Sequence, residues 1–445
     1  MPSMAHSIIR LASSSSARRF ATLSIAETTA ANVVPTYARY PMTLTHGDGA
    51  FVWDEGGRRL LDLGGGIAVN SLGHAHPEVS AALLEQSQKL VHTSNLYFTQ
   101  PQADLAASLV RLIGPGKVFF CNSGAEANEG MFKFARLHGI AGQAEEEAAA
   151  APRMNVITTI DSFHGRTLGG VAATGQDKIK AGFGPPIDGF THVPYNDLAA
   201  VEAAIDERTS AIMIEGIQGE SGVRPATAEY LLGLRRLCDE RGLLLLFDAV
   251  QCGHFRSGSF QSYTKILEGH PDPAAATFRP DGISMAKAMG AGVPIGAFWL
   301  DERVADMLSA GRHGTTFGGN PLACAVANRV LDVIERDDLV ANINDVGEHF
   351  VSSLRAIQTE FPNVLCDVRG HGLMLGVEVA AGAPGVPADA ASAAGHFVGM
   401  LHERGVMTVP AGTHTVRLLP PYNLTIAEAD EGIAAIRSVA EELSN

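Results

Sequence analysis

Apolar residues fall along this chain in two rhythms. Uninterrupted short runs at 117–121 (KVFFC), 156–160 (VITTI), 211–217 (AIMIEGI) and 243–247 (LLLLF) read as strands buried on both faces. Stretches with apolar positions three and four apart, at 77–90, 101–111, 125–137 and 227–241, read as helices. Met131, Phe134 and Ala135 share one face of the third helix, and Leu231, Leu234 and Cys238 one face of the fourth. Strands alternating with helices over 117–300 predict an α/β fold with a mostly parallel sheet and right-handed crossovers. Ligands of such sheets sit at the C-terminal ends of the strands.

The pattern changes on either side of that core. The stretch from Thr36 to about Asp62, with GDGAFVWDEGGRRLLDL starting at Gly47, predicts a two-stranded hairpin turned at Glu55-Gly56-Gly57, and the glycine-rich stretch after it predicts a loop. Beyond about Asp338, short strands in VRGHGLMLGVEV, VMTVP and TVRLLPP precede a helical stripe of Ala429, Ile433, Ile436, Ala440 and Leu443. These predict a smaller α+β unit. The expected division is a leader over 1–25, a segment over 26–75 packing on the small domain and active site, a large domain over 76–338 and a small domain over 339–445.

Composition sets the leader apart. Arg10, Arg18 and Arg19 lie among serines with no acid before Glu27, the pattern of a mitochondrial presequence and so of a matrix protein. Over the whole chain a formal net charge of −15 argues against nucleic acid or an anionic membrane as partner. No apolar run reaches the roughly 18 residues of a membrane span. Five scattered cysteines without a CxxC suggest a reducing compartment and no structural metal. The acidic, alanine-rich stretch 141–155 predicts a solvated helix extension or surface loop.

Two residues carry the strongest chemical signal. Asp248 ends the LLLLF run, where a carboxylate is costly to bury without a partner. Lys287 stands among Met285, Ala286, Ala288 and Met289, where lost solvation lowers a lysine pKa and makes it a nucleophile toward carbonyls. An acid that keeps a heterocyclic nitrogen protonated and a lysine that forms an imine are together what pyridoxal 5′-phosphate requires. Each alone has a plainer reading, a cap or ion-pair residue for Asp248 and a surface-loop residue for Lys287.

Other candidates follow the same logic. Ser123, Gly124 and Ala125 make a strand-to-helix turn in which Ser123 and Glu126 fit a capping box, and such a turn also offers free N–H groups to a phosphate. Phe163 can stack on a flat ring and Arg166 can grip a carboxylate, while His164 between them reads as structural. Glu215 and Glu220 lie near the end of the 211–217 strand. Thr315 and Thr316 precede a helix starting at Pro321, and Arg417 stands inside the last strand, an odd place for an unpaired charge.

SGAEANE, FHGRTL, EGIQGE, FDAVQ, SMAKAMGAG and HGTTFGGNPLA occur in the order and spacing of the class III (ω) aminotransferases. The chain resembles that family over about residues 30–443. The resemblance implies a fold type I pyridoxal-phosphate enzyme in which Lys287 forms the imine and then carries protons, and Asp248 pairs with the pyridinium nitrogen. It further implies that Ser123, Gly124 and Ala125 hold the phosphate, with Thr316 of a neighbouring subunit completing the cradle in a homodimer. Phe163 would stack on the ring and Gln251 would approach its 3-hydroxyl. Arg166 would bind the carboxylate far from the reacting carbon, and Glu220 would neutralise Arg417 until the α-carboxylate of 2-oxoglutarate displaces it. HTSNLYFTQPQ at 92–102 is most similar to the acetylornithine-using branch, which implies N2-acetyl-L-ornithine as amino donor in arginine biosynthesis. Ornithine δ-aminotransferases and other ω-aminotransferases share the core motifs and stand as alternatives.

Four positions depart from the family pattern: Ala249 replaces a Glu, Gly216 a Pro, Phe255 a Gly and Phe317 a Tyr. They motivate the further alternative of a non-catalytic scaffold of the same fold. Ser284 and Lys287 also spell the S-x-x-K of serine acylases, but no K-T-G or S-D-N accompanies it.

Overall fold

The computed structural model describes residues 24–445, so the expected presequence over 1–25 lies almost wholly outside the described residues. Seven strands form the central sheet: β1 (Gly116–Cys121), β2 (Asn155–Thr159), β3 (Phe190–Val193), β4 (Thr209–Glu215), β5 (Leu244–Asp248), β6 (Gly282–Met285) and β7 (Gly296–Asp301). Their order is β1-β7-β6-β5-β4-β2-β3. Every pairing is parallel except those of β7, which runs against both neighbours. The link from β6 to β7 is too short for the crossover of about a dozen residues that a parallel partner requires.

Every residue of β4 and β5 is buried, as their unbroken apolar runs predict. Helix α1 (Gly124–Ala141) packs on β7, β6 and β4 through the face that carries Met131, Phe134 and Ala135. Helix α2 (Ala228–Arg241) leads into β5; Thr227 caps its start and Gly242, left-handed at φ +62°, ends it. The acidic stretch forms an exposed helix, Glu145–Ala150. Among the described residues no helix is long and apolar enough to cross a membrane.

A second, antiparallel sheet follows helix α3 (Pro321–Arg336) and joins Leu365–His371, Met374–Val379, Thr415–Leu418 and Val409–Ala411. Helices Leu339–Glu360, Ala393–Glu403 and Ile426–Ser444 accompany it. The N-terminal strands join this half of the molecule, because Arg59–Asp62 pairs in parallel with Val406–Met407. Here the expected hairpin needs correction. Three strands are present, Leu44–Asp48, Phe51–Asp54 and Arg59–Asp62, since Gly49 at φ +55° makes a second turn ahead of the Glu55-Gly56-Gly57 one.

Three of the departures have local reasons. A Cβ at Gly216 would stand 2.2 Å from Ser262 Oγ, so Ser262 occupies the space a proline ring would need. Phe255 is left-handed at φ +70°, a conformation that costs a non-glycine residue roughly 1–2 kcal/mol. Burial of its ring edge-on to Phe260, 5.1 Å between centroids, offsets that strain. Ala249 is buried, its N–H donating to the Ser284 carbonyl at 3.0 Å.

Candidate active site

Parallel register sets Glu215, Asp248 and Ser284 side by side at the C-terminal edge of β4, β5 and β6. From β6 the chain passes into Lys287, whose backbone is left-handed at φ +46°. A cavity of about 410 Å³ opens there, and the start of α1 forms part of its wall. Ser123, Gly124, Ala125, Phe163, Arg166, Asp248, Gln251 and Lys287 all line it. Glu220 and Arg417 adjoin it through Gln251. Thr316 does not reach it and lies exposed on the loop before α3.

Asp248 is almost fully buried, and both of its carboxylate oxygens have partners. Oδ2 accepts from Asn128 Nδ2 at 2.7 Å and contacts His164 Nδ1 at 2.9 Å; Oδ1 accepts the Val250 N–H at 3.0 Å. Asn128 is itself oriented, its Oδ1 accepting from Ser284 Oγ at 2.6 Å. Burial opposes protonation of His164, but the hydrogen bond and charge of Asp248 prevail and raise its pKa. The two side chains thus form a buried pair, with Asp248 favouring the charged form of His164.

Lys287 is driven the other way. Burial first, then the positive charge of Arg417, lower its amine to about 8 against the pull of Asp248, Glu220 and Glu215. Arg417 is buried and donates from one Nη to the Gly219 carbonyl at 2.8 Å, to Gln251 Oε1 at 2.9 Å and to Glu220 Oε2 at 3.4 Å. Burial lowers its pKa, and the half-exposed Glu220 carboxylate works against that. At the cavity's other side, Arg166 is exposed with its guanidinium 5.6 Å from the Phe163 ring centroid.

The turn into α1 is shaped for close approach. Ser123 Oγ accepts the Glu126 N–H at 3.2 Å, confirming the cap. The reciprocal half of the expected box is absent, because the Glu126 carboxylate turns to Asn122 instead. The N–H groups of Gly124 and Ala125, first in the helix, have no intrahelical acceptor. A Cβ at Gly124 would stand 2.6 Å from a Val250 methyl, so this wall admits only glycine. Asn128 was missed by sequence reasoning, Glu215 was noted only for its place near the strand end and given no role, and His164 was taken for scaffold alone. The usable signal for Asn128 was an amide on the buried stripe of α1, three residues before Met131.

The family model described as Aminotransferase class-III matches residues 33–440. The chain is a class III aminotransferase. Acetylornithine aminotransferase of Mesorhizobium japonicum is 44% identical over 411 residues, covering 92% of this chain and 96% of that one. Among solved structures, ornithine aminotransferase from Toxoplasma gondii aligns at a TM-score of 0.85 with 30% identity, covering 96% of this chain and 97% of its own. N-acetylornithine aminotransferase from Stenotrophomonas maltophilia aligns at 0.75 with 34% identity over 91% and 97%. As a class III aminotransferase the chain is a transaminase dependent on pyridoxal 5′-phosphate, with the type I fold. The scaffold alternative is set aside, since Lys287 and Asp248 share one cavity in a chain of this family.

Proposed function

We propose that this enzyme moves the terminal amino group of N2-acetyl-L-ornithine to 2-oxoglutarate, giving N-acetylglutamate 5-semialdehyde and glutamate in arginine biosynthesis. The observation that carries the reading is a pair of arginines, Arg166 lining the cavity and Arg417 buried just beyond it, bonded to the lining residue Gln251 and beside the half-exposed Glu220. An unpaired buried guanidinium is expensive, so Glu220 shields Arg417 while the amine substrate is bound. A substrate α-carboxylate then takes the place of Glu220, with Arg166 on the distal carboxylate. One cavity serves two substrates of different polarity. Names carried by relatives over about nine-tenths of the chain support the acetylated donor.

The cavity suits pyridoxal phosphate: a glycine-walled turn with free N–H groups for the phosphate, and a buried acid, Asp248, in its wall. Ser123, Gly124 and Ala125 would hold the phosphate, Phe163 the ring face, Asp248 the ring nitrogen and Gln251 the ring hydroxyl. The cofactor supplies an aldehyde and an electron sink. Lys287, its amine lowered to about 8, takes the proton from the substrate carbon and returns it. Thr316 stands exposed and away from its own cavity, which favours a homodimer in which Thr316 of the partner subunit completes the phosphate cradle. A mitochondrial matrix address rests on residues 1–25 alone, while the acetylornithine aminotransferases compared are bacterial; N-terminal sequencing of the mature protein tests it.

The deciding experiment is one half-reaction: acetylornithine, then ornithine, added to holoenzyme without oxo acid while cofactor absorbance is followed. Faster conversion by acetylornithine supports the reading. Preference for ornithine moves the enzyme to the ornithine aminotransferase branch, the second reading, which the 0.85 TM-score to the Toxoplasma gondii enzyme favours. Glu220→Ala is expected to slow the acetylornithine half-reaction about tenfold more than the 2-oxoglutarate half, since only the first requires Arg417 to be shielded. Equal losses in stopped-flow traces would refute the exchange.

A further inference from the structure

Glu215 ends β4 in the cavity wall, and no step of the proposed transfer uses it. It is buried, 5% exposed, and its two oxygens are divided between separate segments. Oε2 accepts the N–H of Phe163 at 3.1 Å and Oε1 the N–H of Gly219 at 3.2 Å. The first segment carries the aromatic wall and Arg166; the second leads to Glu220. Its own main chain is anchored, the Glu215 carbonyl accepting the Tyr195 hydroxyl at 2.7 Å. Gly219 cannot be steadied by a side chain of its own, because a Cβ there would stand 2.4 Å from the Gln251 carboxamide.

We propose that Glu215 is a positioning residue: one buried carboxylate ties the backbone of Phe163 to that of Gly219, holding the aromatic wall and the loop of Glu220 in a single arrangement. The inference rests on the roles given above to Phe163 and Glu220. A bridge of this kind is strongest in the ionised form, since protonation turns one oxygen into a hydroxyl, a donor and a much poorer acceptor for its N–H.

The surroundings bring that change within working pH. Facing Glu215 are Asp248 on β5, the basic groups His164, Lys287 and Arg417, and Tyr195 and Cys252. Burial, the largest influence, pushes its carboxyl up to about 7; His164 and the two N–H bonds hold it down, and Asp248 pushes it further up. The bridge is therefore complete above that pH and opens as pH falls through it. Lys287, at about 8, loses its proton on the alkaline side of that change and produces no acid limb of the same sense.

Glu215→Gln tests the proposal in holoenzyme, because its carboxamide accepts one N–H and sets an NH₂ donor against the other. Cofactor loss is followed by absorbance after dilution, without substrate, and the KM values for amine and oxo acid are measured separately. Expected for the wild type is release about tenfold faster near pH 6 than near pH 8, the weight of one lost hydrogen bond to a charged group. The variant is expected to release at the faster rate at both pH values, with the two KM values altered unequally. A variant with wild-type release and an unchanged acid limb would overturn the proposal. Should the variant fail to fold, the wild-type series still decides, and a flat release rate between about pH 6 and 8 overturns it. Since release is read without substrate, a wild-type enzyme that refuses acetylornithine faults the substrate assignment and leaves this test intact.

Discussion

Lys287→Ala is expected to lower transamination by at least about 10⁴-fold, because it removes the amine that serves as both nucleophile and proton carrier. The fold should survive. Among the described residues the Lys287 amine makes no hydrogen bond, so its removal strands no partner. With an amine lowered from 10.5 to about 8, the chain carries a desolvated charge below pH 8, and the resulting penalty is relieved only as pH rises from about 8 toward 10.5. Near pH 7 the alanine variant escapes that penalty. Cofactor-free variant is therefore expected to melt at or above cofactor-free wild type in calorimetry at that pH. Turnover within tenfold of wild type would sink the assignment of Lys287.

Asp248→Asn is expected to cost about 10³-fold in turnover, the scale of removing one preorganised charge from a buried reacting centre. Asparagine matches the shape but leaves no counter-charge for His164, whose elevated pKa depends on Asp248. A histidine raised in the folded state contributes stability that is full below its ordinary value near 6.5 and fades as pH rises through the folded value. The variant's stability deficit should therefore be larger near pH 5.5 than near pH 8. Steady-state kinetics and melting curves at both pH values check the two halves. A deficit that grows toward alkaline pH would mean that Asp248 does not hold His164 charged.

The strand runs of the core were legible because residues buried on both faces leave no polar position to blur the pattern: β4 and β5 lie where their apolar runs predict. Lys287, Asp248 and Arg417 drew attention as charges set in apolar surroundings, which water alone cannot explain. The N-terminal region was read one strand short, since Gly49 and Gly57 are both left-handed and only one of the turns they make was anticipated. Glu126 was assigned to its own cap, but its carboxylate reaches Asn122 equally well, a choice local pattern does not make.

Local sequence determined which elements form and which chemical groups stand at their ends: a buried acid closing β5, a lysine after β6, a glycine turn opening α1. Tertiary structure decided what those groups face. Asp248 meets Asn128 and His164, which lie 120 and 84 residues away, and Glu215 joins Phe163 to Gly219. Such contacts arise from the register of parallel strands that are distant in sequence. That register follows from how whole buried faces pack, which no short stretch of chain contains.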